Sequence, residues 1–259
     1  LSGSEGSELI ARDAVFAVIM IVINGVVGLC IFIGGLRHKE LSFRIEGSNT
    51  ALAVLAALAI FSLVMPVVTT STPGPTFSNS QLAFVGIASL ALYGAFIFFQ
   101  TVSHRTYFLP LQATQKMDGI VHAPHPSNLK TIISGLLLII SLILVVGLAK
   151  ALSPAIEAGV MAIGAPKAVV GIAIATLVLL PEGLAAVKAA RVNQLQSSLN
   201  LSLGSVLASI GLTIPAVAII SIWFNLPISL GINAVGIISL FLTFLVSVLT
   251  LAIGRTTLM

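Results

Sequence analysis

One carboxylic acid stands inside a long apolar stretch, between a proline and a glycine. Glu182 is flanked by Pro181 and Gly183 within residues 167–188. An ionisable side chain at the centre of a bilayer costs about 2.5–3.5 kcal/mol to insert, so it is a functional-site hypothesis by default. Because Pro181 removes a backbone donor and strains the preceding turn, we expect a helix break at Pro181 and Gly183. A carboxylate beside a broken helix is a typical cation site at the midplane of a transporter.

A row of hydroxyl side chains follows in the next apolar stretch. Its members are spaced by three, four and four positions, which places them on one helical face: Ser202, Ser205, Ser209 and Thr213. If the two stretches form a hairpin that turns near residues 195–197, Ser209 lies at the depth of Glu182. A carboxylate and hydroxyls together offer oxygen ligands to a hard cation such as Ca²⁺, which makes Glu182 the predicted ligand of a transported metal ion. The alternative is helix packing, since Gly204 and Gly211 would let a neighbouring helix approach closely.

The composition says which elements must position these residues. Of 259 residues, 58% are hydrophobic and 8% are charged, whereas soluble domains average about 25% charged residues. Seven continuous stretches reach the roughly 20 apolar residues that a membrane helix needs: 14–35, 48–70, 80–101, 131–149, 167–188, 200–223 and 231–253. We therefore predict an all-α, polytopic transmembrane helix bundle. Residues 1–130 hold the first three helices and the loop 102–130, and residues 131–259 hold the other four.

The basic residues predict the orientation of the bundle. Nine of the twelve Lys and Arg residues lie in alternate connections, namely 36–47, 102–130, the turn after the fifth span and the C-terminal tail. By the positive-inside rule these connections are cytoplasmic, so the N-terminus of this chain lies outside and its C-terminus inside. The predicted location is a bacterial inner membrane. The net charge of +4 is scattered between apolar runs, so it does not indicate nucleic-acid binding.

Several other polar residues have simpler interpretations. His122 and His125 lie in the loop 102–130, and two histidines without further ligands make a weak metal site. Asn24 is expected to serve helix packing, and Thr176 to bond to the backbone of its own helix. No nucleotide-binding or enzyme motif is present in the sequence, so we predict neither an enzyme nor a bound cofactor. The sequence does not indicate an oligomeric state.

Two segments of the chain resemble a known family. Leu180-Pro-Glu-Gly-Leu-Ala-Ala-Val-Lys-Ala-Ala190, followed by residues 200–215, resembles the second acidic repeat of calcium/proton exchangers in the calcium/cation antiporter superfamily. The bacterial branch of that family is the most similar. Residues 19–28 and Gly254-Arg255-Thr256 resemble further segments of the same proteins.

The resemblance implies a fold of two inverted halves whose acidic repeats meet at the midplane. Glu182 would be the acid of the second repeat, within about residues 170–215, and Ser205 and Ser209 would fall on a ligand-supplying helix. Ser202 and Thr213 are possible supporting residues. No first acidic repeat precedes residue 180, so we expect the partner acid to lie before Leu1. Ala208 stands where the vacuolar branch has Gln, which leaves the preferred cation open.

The expected function is secondary active antiport of Ca²⁺, or also of Na⁺ or K⁺, against protons by alternating access. Desolvation favours the protonated carboxyl and a bound cation favours the ionised one, so each would exclude the other. Two alternatives stay open: Na⁺ or K⁺ exchange for protons on the same scaffold, and a non-transporting membrane protein with a regulatory or assembly role. The expected partners are inorganic cations, protons and the lipid bilayer.

Overall fold

The computed structural model describes residues 10–38, 40–109, 127–164, 168–224 and 228–257. In chain order the elements are α1 (Ile10–Met20), α2 (Gly28–His38), β1 (Glu40–Ser42), α3 (Ile45–Ala59), α4 (Met65–Val68), α5 (Asn79–Phe98), α6 (Arg105–Phe108), α7 (Asn128–Ala162), α8 (Ala168–Arg191), α9 (Leu195–Phe224), α10 (Ala234–Leu251) and β2 (Arg255–Thr257). Three short π-helical segments occur within the first three predicted spans: Ile21–Val27, Ile60–Val64 and Phe99–Ser103.

Six helices in the described part of the chain are long and apolar enough to cross a membrane. They are Ala11–His38, Ile45–Val68, Asn79–Ser103, Asn128–Val145, Leu195–Phe224 and Ala234–Leu251. These correspond to six of the seven predicted spans, and the predicted all-α polytopic bundle is confirmed. The predicted fifth span, 167–188, coincides with helix α8 but is not one of the six.

Helix α7 is longer than the predicted fourth span. It runs for 35 residues, through Pro154, where the sequence predicted a loop after residue 149. Four alanines and one leucine lie within five positions of Pro154, and both residue types favour helix. The proline removes one backbone donor, and the helix continues on both sides of it.

The described residues divide into two compact units. The first comprises Leu1–Thr114 and Pro181–Met259, and the second comprises Gln115–Leu180. The boundary between them falls inside helix α8, immediately before Pro181. Both predicted segments, 1–130 and 131–259, therefore contribute helices to the first unit, which also contains every predicted site residue.

Helix α9 forms the core of the first unit. It packs against α5 and α3, and its buried leucines and isoleucines recur at helical spacing: Leu199, Leu203, Leu207, Ile210 and Ile214. A close approach occurs at Gly211, where an added Cβ would lie 2.6 Å from the Cβ of Tyr93 on α5. Between membrane helices such close packing, rather than the exclusion of water, holds the elements together.

One end of the first unit joins the segments that the sequence predicted to be cytoplasmic. Strand β1 pairs with β2 in antiparallel register, with Leu41 opposite Thr256. We call this end, where the basic connections lie, the basic end. Three polar contacts link its segments: the backbone N–H of Arg44 donates to Gln196 Oε1 (2.6 Å), His38 Nε2 donates to the Arg191 carbonyl (2.9 Å), and Asn200 Nδ2 donates to the Phe108 carbonyl.

The opposite end joins helix α1, the connection after α4 and the connection before α10. Thr76 forms a β-bridge with Ser229, and the Gly231 N–H donates to the Pro75 carbonyl at 3.1 Å. The Arg12 guanidinium donates to the Gly231 carbonyl at 3.4 Å. Within the described residues of the first unit, each set of connections thus lies together at one end, whereas the end that faces the cytoplasm stays a prediction.

Candidate functional site

Glu182 lies within a continuous helix rather than at a helix break. Helix α8 runs from Ala168 to Arg191 with Pro181 in its interior, so the break predicted at Pro181 and Gly183 is not present. Proline removes one backbone hydrogen bond, and the neighbouring turns still make theirs. Glu182 therefore projects from a continuous helix that lacks one backbone hydrogen bond, the one that residue 181 would donate.

Gly183 brings helix α8 close to the first membrane helix. A Cβ built on Gly183 would lie 3.5 Å from Cγ2 of Val26, which belongs to the π-helical segment Ile21–Val27. Nearer the basic end, a Cβ on Gly34 would lie 3.4 Å from the Ala190 carbonyl oxygen. From the first contact to the second, the residue number rises on both helices, from 183 to 190 and from 26 to 34. Pro181–Arg191 therefore runs in the same direction as the first membrane helix, Ala11–His38. π-helical turns inside α-helices are frequent at functional sites.

The carboxyl group of Glu182 has an unpartnered oxygen. Its Oε2 is buried and makes no hydrogen bond within the described residues. Two other acids differ, because Asp13 pairs with Arg12 at 2.8 Å and Glu40 pairs with Arg255 at 3.4 Å, both at the ends of the unit. A buried carboxyl oxygen without a donor is costly unless a proton or a cation satisfies it.

The predicted hydroxyl row lies on helix α9, and its members differ in burial. Ser202 is 2% exposed, whereas Ser205, Ser209 and Thr213 are half-buried. No hydrogen bond among the described residues links this row to Glu182. The two parts of the site instead share a neighbour, because α9 packs on the π-helical segment that contains Val26.

The register between Glu182 and the hydroxyl row differs from the prediction. Helix α8 ends at Arg191 and α9 begins at Leu195, with Asn193 in the left-handed region (φ 60°). The turn is therefore centred on Asn193 instead of residues 195–197. Glu182 lies 11 residues before Asn193, and the residue 11 positions after it is Gly204. This places Ser202 and Ser205, rather than Ser209, nearest to the depth of Glu182.

The two glycines of helix α9 have different roles. Gly211 permits the predicted close approach, to Tyr93 of α5. A Cβ on Gly204 would meet no atom within 4 Å, so the predicted packing role for Gly204 is wrong within the described residues. Gly204 lies between Ser202 and Ser205, where it leaves room beside the hydroxyl row.

Asn24 and Thr176 behave as the sequence predicted. Asn24 Nδ2 donates to Thr243 Oγ1 on α10 at 3.0 Å, which is a helix-packing contact. Thr176 Oγ1 donates to the Ile172 carbonyl of its own helix at 2.7 Å. The partner Thr243 was not identified from the sequence, since only tertiary packing brings it to Asn24. A cavity of about 120 Å³ lies beside Asn24 and is lined by Ser247 and Thr250 among apolar side chains.

Ser198 is a further polar residue that the sequence analysis missed. It lies one turn before Ser202 on the same face of α9, is 1% exposed, and its Oγ has no hydrogen-bonding partner within the described residues. The spacing of four from Ser202 would have identified it. No group of three or more His, Cys, Asp or Glu residues that could hold a metal ion occurs in the described ranges. His122 and His125 lie outside the described residues.

Comparisons with a family model and with individual proteins point to the same family. The family model described as "Sodium/calcium exchanger protein" matches residues 3–102 and 133–259. The "Putative ionic transporter y4hA" of Sinorhizobium fredii (strain NBRC 101917 / NGR234) is 48% identical over 259 residues, which are all of this chain and 70% of that protein.

Two antiporters also match. The "Sodium-potassium/proton antiporter ChaA" of Escherichia coli (strain K12) is 34% identical over 221 residues, covering 85% of this chain and 60% of that protein. The "Ca(2+)/H(+) antiporter ChaA" of Bacillus subtilis (strain 168) is 30% identical over 90 residues, covering 35% of this chain and 26% of that protein. The chain therefore belongs to the sodium/calcium exchanger protein family and is a member of the cation exchangers.

Proposed function

We propose that this chain carries one half of the ion site of a cation/proton antiporter, with Glu182 as the group that proton and cation share. The observation that carries the proposal is the Oε2 atom of Glu182, which is buried and has no hydrogen-bonding partner in the described residues. A proton or a bound cation would each satisfy that oxygen. Antiport follows when binding of one excludes the other.

The competition at Glu182 couples the two gradients. The protonated carboxyl is neutral and tolerates an apolar surrounding, whereas the ionised carboxyl needs a positive partner. An arriving cation therefore displaces the proton, and a returning proton displaces the cation. With alternating access to the two sides of the membrane, each exchange moves the two ions in opposite directions.

The hydroxyl row would complete the cation shell on this side of the site. Ser205 and Ser209 are the proposed oxygen ligands, and Ser202 and Thr213 are supporting residues. Because the turn at Asn193 places Ser205 nearer than Ser209 to the depth of Glu182, we rank Ser205 above Ser209 as a ligand. Ca²⁺ takes about six to eight oxygens, more than one carboxylate and two or three hydroxyls supply, so the first acidic repeat would provide the others.

The identity of the cation separates two forms of the proposal. Ca²⁺ is favoured by the ligand chemistry, since carboxylate and hydroxyl oxygens suit a hard divalent ion. Na⁺ or K⁺ is favoured by similarity, because the sodium-potassium/proton antiporter of E. coli matches 85% of this chain. We place Ca²⁺ first and monovalent exchange second.

We further propose that the protein resides in a bacterial inner membrane with the basic end in the cytoplasm. The segments at that end hold Arg37, Arg44, Arg105, Arg191 and Arg255. Cytoplasmic connections of membrane proteins are enriched in such residues.

A vesicle assay with the full-length protein tests the proposal. A pulse of Ca²⁺, Na⁺ or K⁺ is applied to vesicles that hold a preformed pH gradient, and proton movement is followed with a pH-sensitive dye. Wild-type protein should collapse the gradient, and Glu182→Gln should not. Addition of the other cations in excess then ranks them by competition. Absence of cation-driven proton movement in the wild type would instead favour a regulatory or assembly role.

A further inference from the structure

The hydroxyl row extends toward the basic end beyond Ser205, through the supporting residue Ser202 to Ser198. Ser198 and Ser202 are 1% and 2% exposed, and both Oγ atoms lack a hydrogen-bonding partner among the described residues. They lie one turn apart on α9, and Ser198 is in the first turn of that helix. Buried polar atoms are normally satisfied, so two orphans in succession indicate a missing polar partner.

Other hydroxyls in the same molecule show how a serine can be satisfied by the backbone of its own helix. Ser62, which is completely buried, donates to the Leu58 carbonyl at 2.7 Å. Ser247 donates to the Thr243 carbonyl at the same distance. A serine in a helix can satisfy itself in this way. The hydroxyls of Ser198 and Ser202 make no such bond and are therefore available to another partner.

Cys30 adds a third group to this pair. It lies on helix α2, which contacts α9, and its side chain is 0% exposed. Its thiol, a weak hydrogen-bond donor, lies beside the Ser198 hydroxyl without satisfying it. Val26, which contacts Gly183, lies one turn before Cys30 on the same membrane helix. Two neighbouring helices thus place Ser198 and Cys30 together near the basic end, with Ser202 and Val26 one turn deeper, toward Glu182.

We propose that Ser198, Ser202 and Cys30 line the inner access path, by which water and the hydrated cation pass between the basic end and Glu182. Two hydroxyls and a thiol are too few ligands for a resting site of a hard cation. They can, however, hydrogen-bond to water and to the hydration shell of a passing ion. In this structure the path is closed, since all three side chains are buried. The inference rests on the proposed function and names the side chains on one side of its ion site.

The access path is tested by the reactivity of Cys30 in the full-length protein, in a version where it is the single cysteine. The probe is a charged, membrane-impermeant methanethiosulfonate applied separately to each face of vesicles. Cys30 should be labelled from the face of the basic end and not from the other face. Ser202 lies between Cys30 and Glu182 along the proposed path. Ser202→Leu should therefore obstruct the path and slow cation exchange, while Cys30 is still labelled from the basic end. Ser198→Leu, beside the thiol, should cause a loss of labelling.

Two matched variants control this experiment. Ser89 is another fully buried serine with an unpartnered Oγ, but it lies on α5, so Ser89→Leu should leave labelling of Cys30 unchanged. Leu29 is adjacent to Cys30 and 47% exposed on the outer surface of the helix. Leu29→Cys combined with Cys30→Ala should not react, because its thiol faces lipid.

The outcomes separate this inference from the proposed function. Labelling from the opposite end only, no labelling from either face, or equal labelling of Leu29→Cys would each overturn the access path. Those results can be obtained while Glu182→Gln still abolishes exchange, in which case only the path fails. If instead Glu182→Gln exchanges normally and Cys30 is labelled from the basic end, the assigned ion site fails, and only the access of water to Cys30 from the basic end stands.

Discussion

Gly183 packs against Val26 at a distance that accommodates a methyl group on residue 183. The Cβ of an alanine at this position would lie 3.5 Å from Cγ2 of Val26, which is an ordinary van der Waals distance. Glu182 is the adjacent residue on helix α8, so the contact fixes how the acid is presented relative to the π-helical segment Ile21–Val27.

The first prediction concerns the size of residue 183. Gly183→Ala should fold and exchange ions, and the gain in helix propensity should raise stability by up to about 1 kcal/mol. Gly183→Leu should displace Val26 and the acid beside it, with loss of exchange. The measurement is cation-driven proton movement in vesicles. Gly94, where an added Cβ meets nothing within 4 Å, is the control: Gly94→Leu should remain active. Full activity of Gly183→Leu would contradict the assigned contact.

The second prediction compares two glycines on helix α9. Gly211→Ala would place Cβ 2.6 Å from Cβ of Tyr93, and such overpacking typically costs about 1–3 kcal/mol. Gly204→Ala meets no atom within 4 Å and should not destabilise the protein. Thermal unfolding of the full-length protein in detergent measures both variants. Equal stability of the two would show that α5 and α9 do not approach as closely as described.

The third prediction concerns Gln196, which links two segments at the basic end. Its Oε1 accepts the Arg44 N–H at 2.6 Å, and its Nε2 donates to Asn200 Oδ1 at 2.9 Å. Gln196 is 2% exposed, so Gln196→Ala leaves buried groups without partners, at a cost of about 1–3 kcal/mol. Amide hydrogen exchange at Arg44 should accelerate. Gln194→Ala, in the exposed turn two residues earlier, is the control and should leave Arg44 protected.

The parts of this structure that follow local rules were predictable from the sequence. The length of the apolar stretches identified the membrane helices, because a helix needs about 20 apolar residues to cross the hydrocarbon core of a bilayer. Charge alternation grouped the connections by end. Thr176 bonds to its own backbone, a contact that needs no knowledge of other helices.

The parts that depend on tertiary packing were not predictable. Pro181 is a helix breaker by local rules, yet helix α8 continues through it. The register of Glu182 against the hydroxyl row changed because the turn is centred on Asn193. The partner of Asn24, Thr243, lies 219 positions away in sequence, and only the assembled bundle brings the two together.

The most direct test of the shared carboxyl is a count of the protons that leave the protein when a cation binds. Purified full-length protein in weak buffer is mixed with Ca²⁺, Na⁺ or K⁺, and a pH-sensitive dye reports the released protons. Wild-type protein and Glu46→Gln, which alters an exposed acid in the first turn of α3, should both release protons. Glu182→Gln should release none on this account. Undiminished proton release from Glu182→Gln would contradict the claim that cation and proton compete for this side chain.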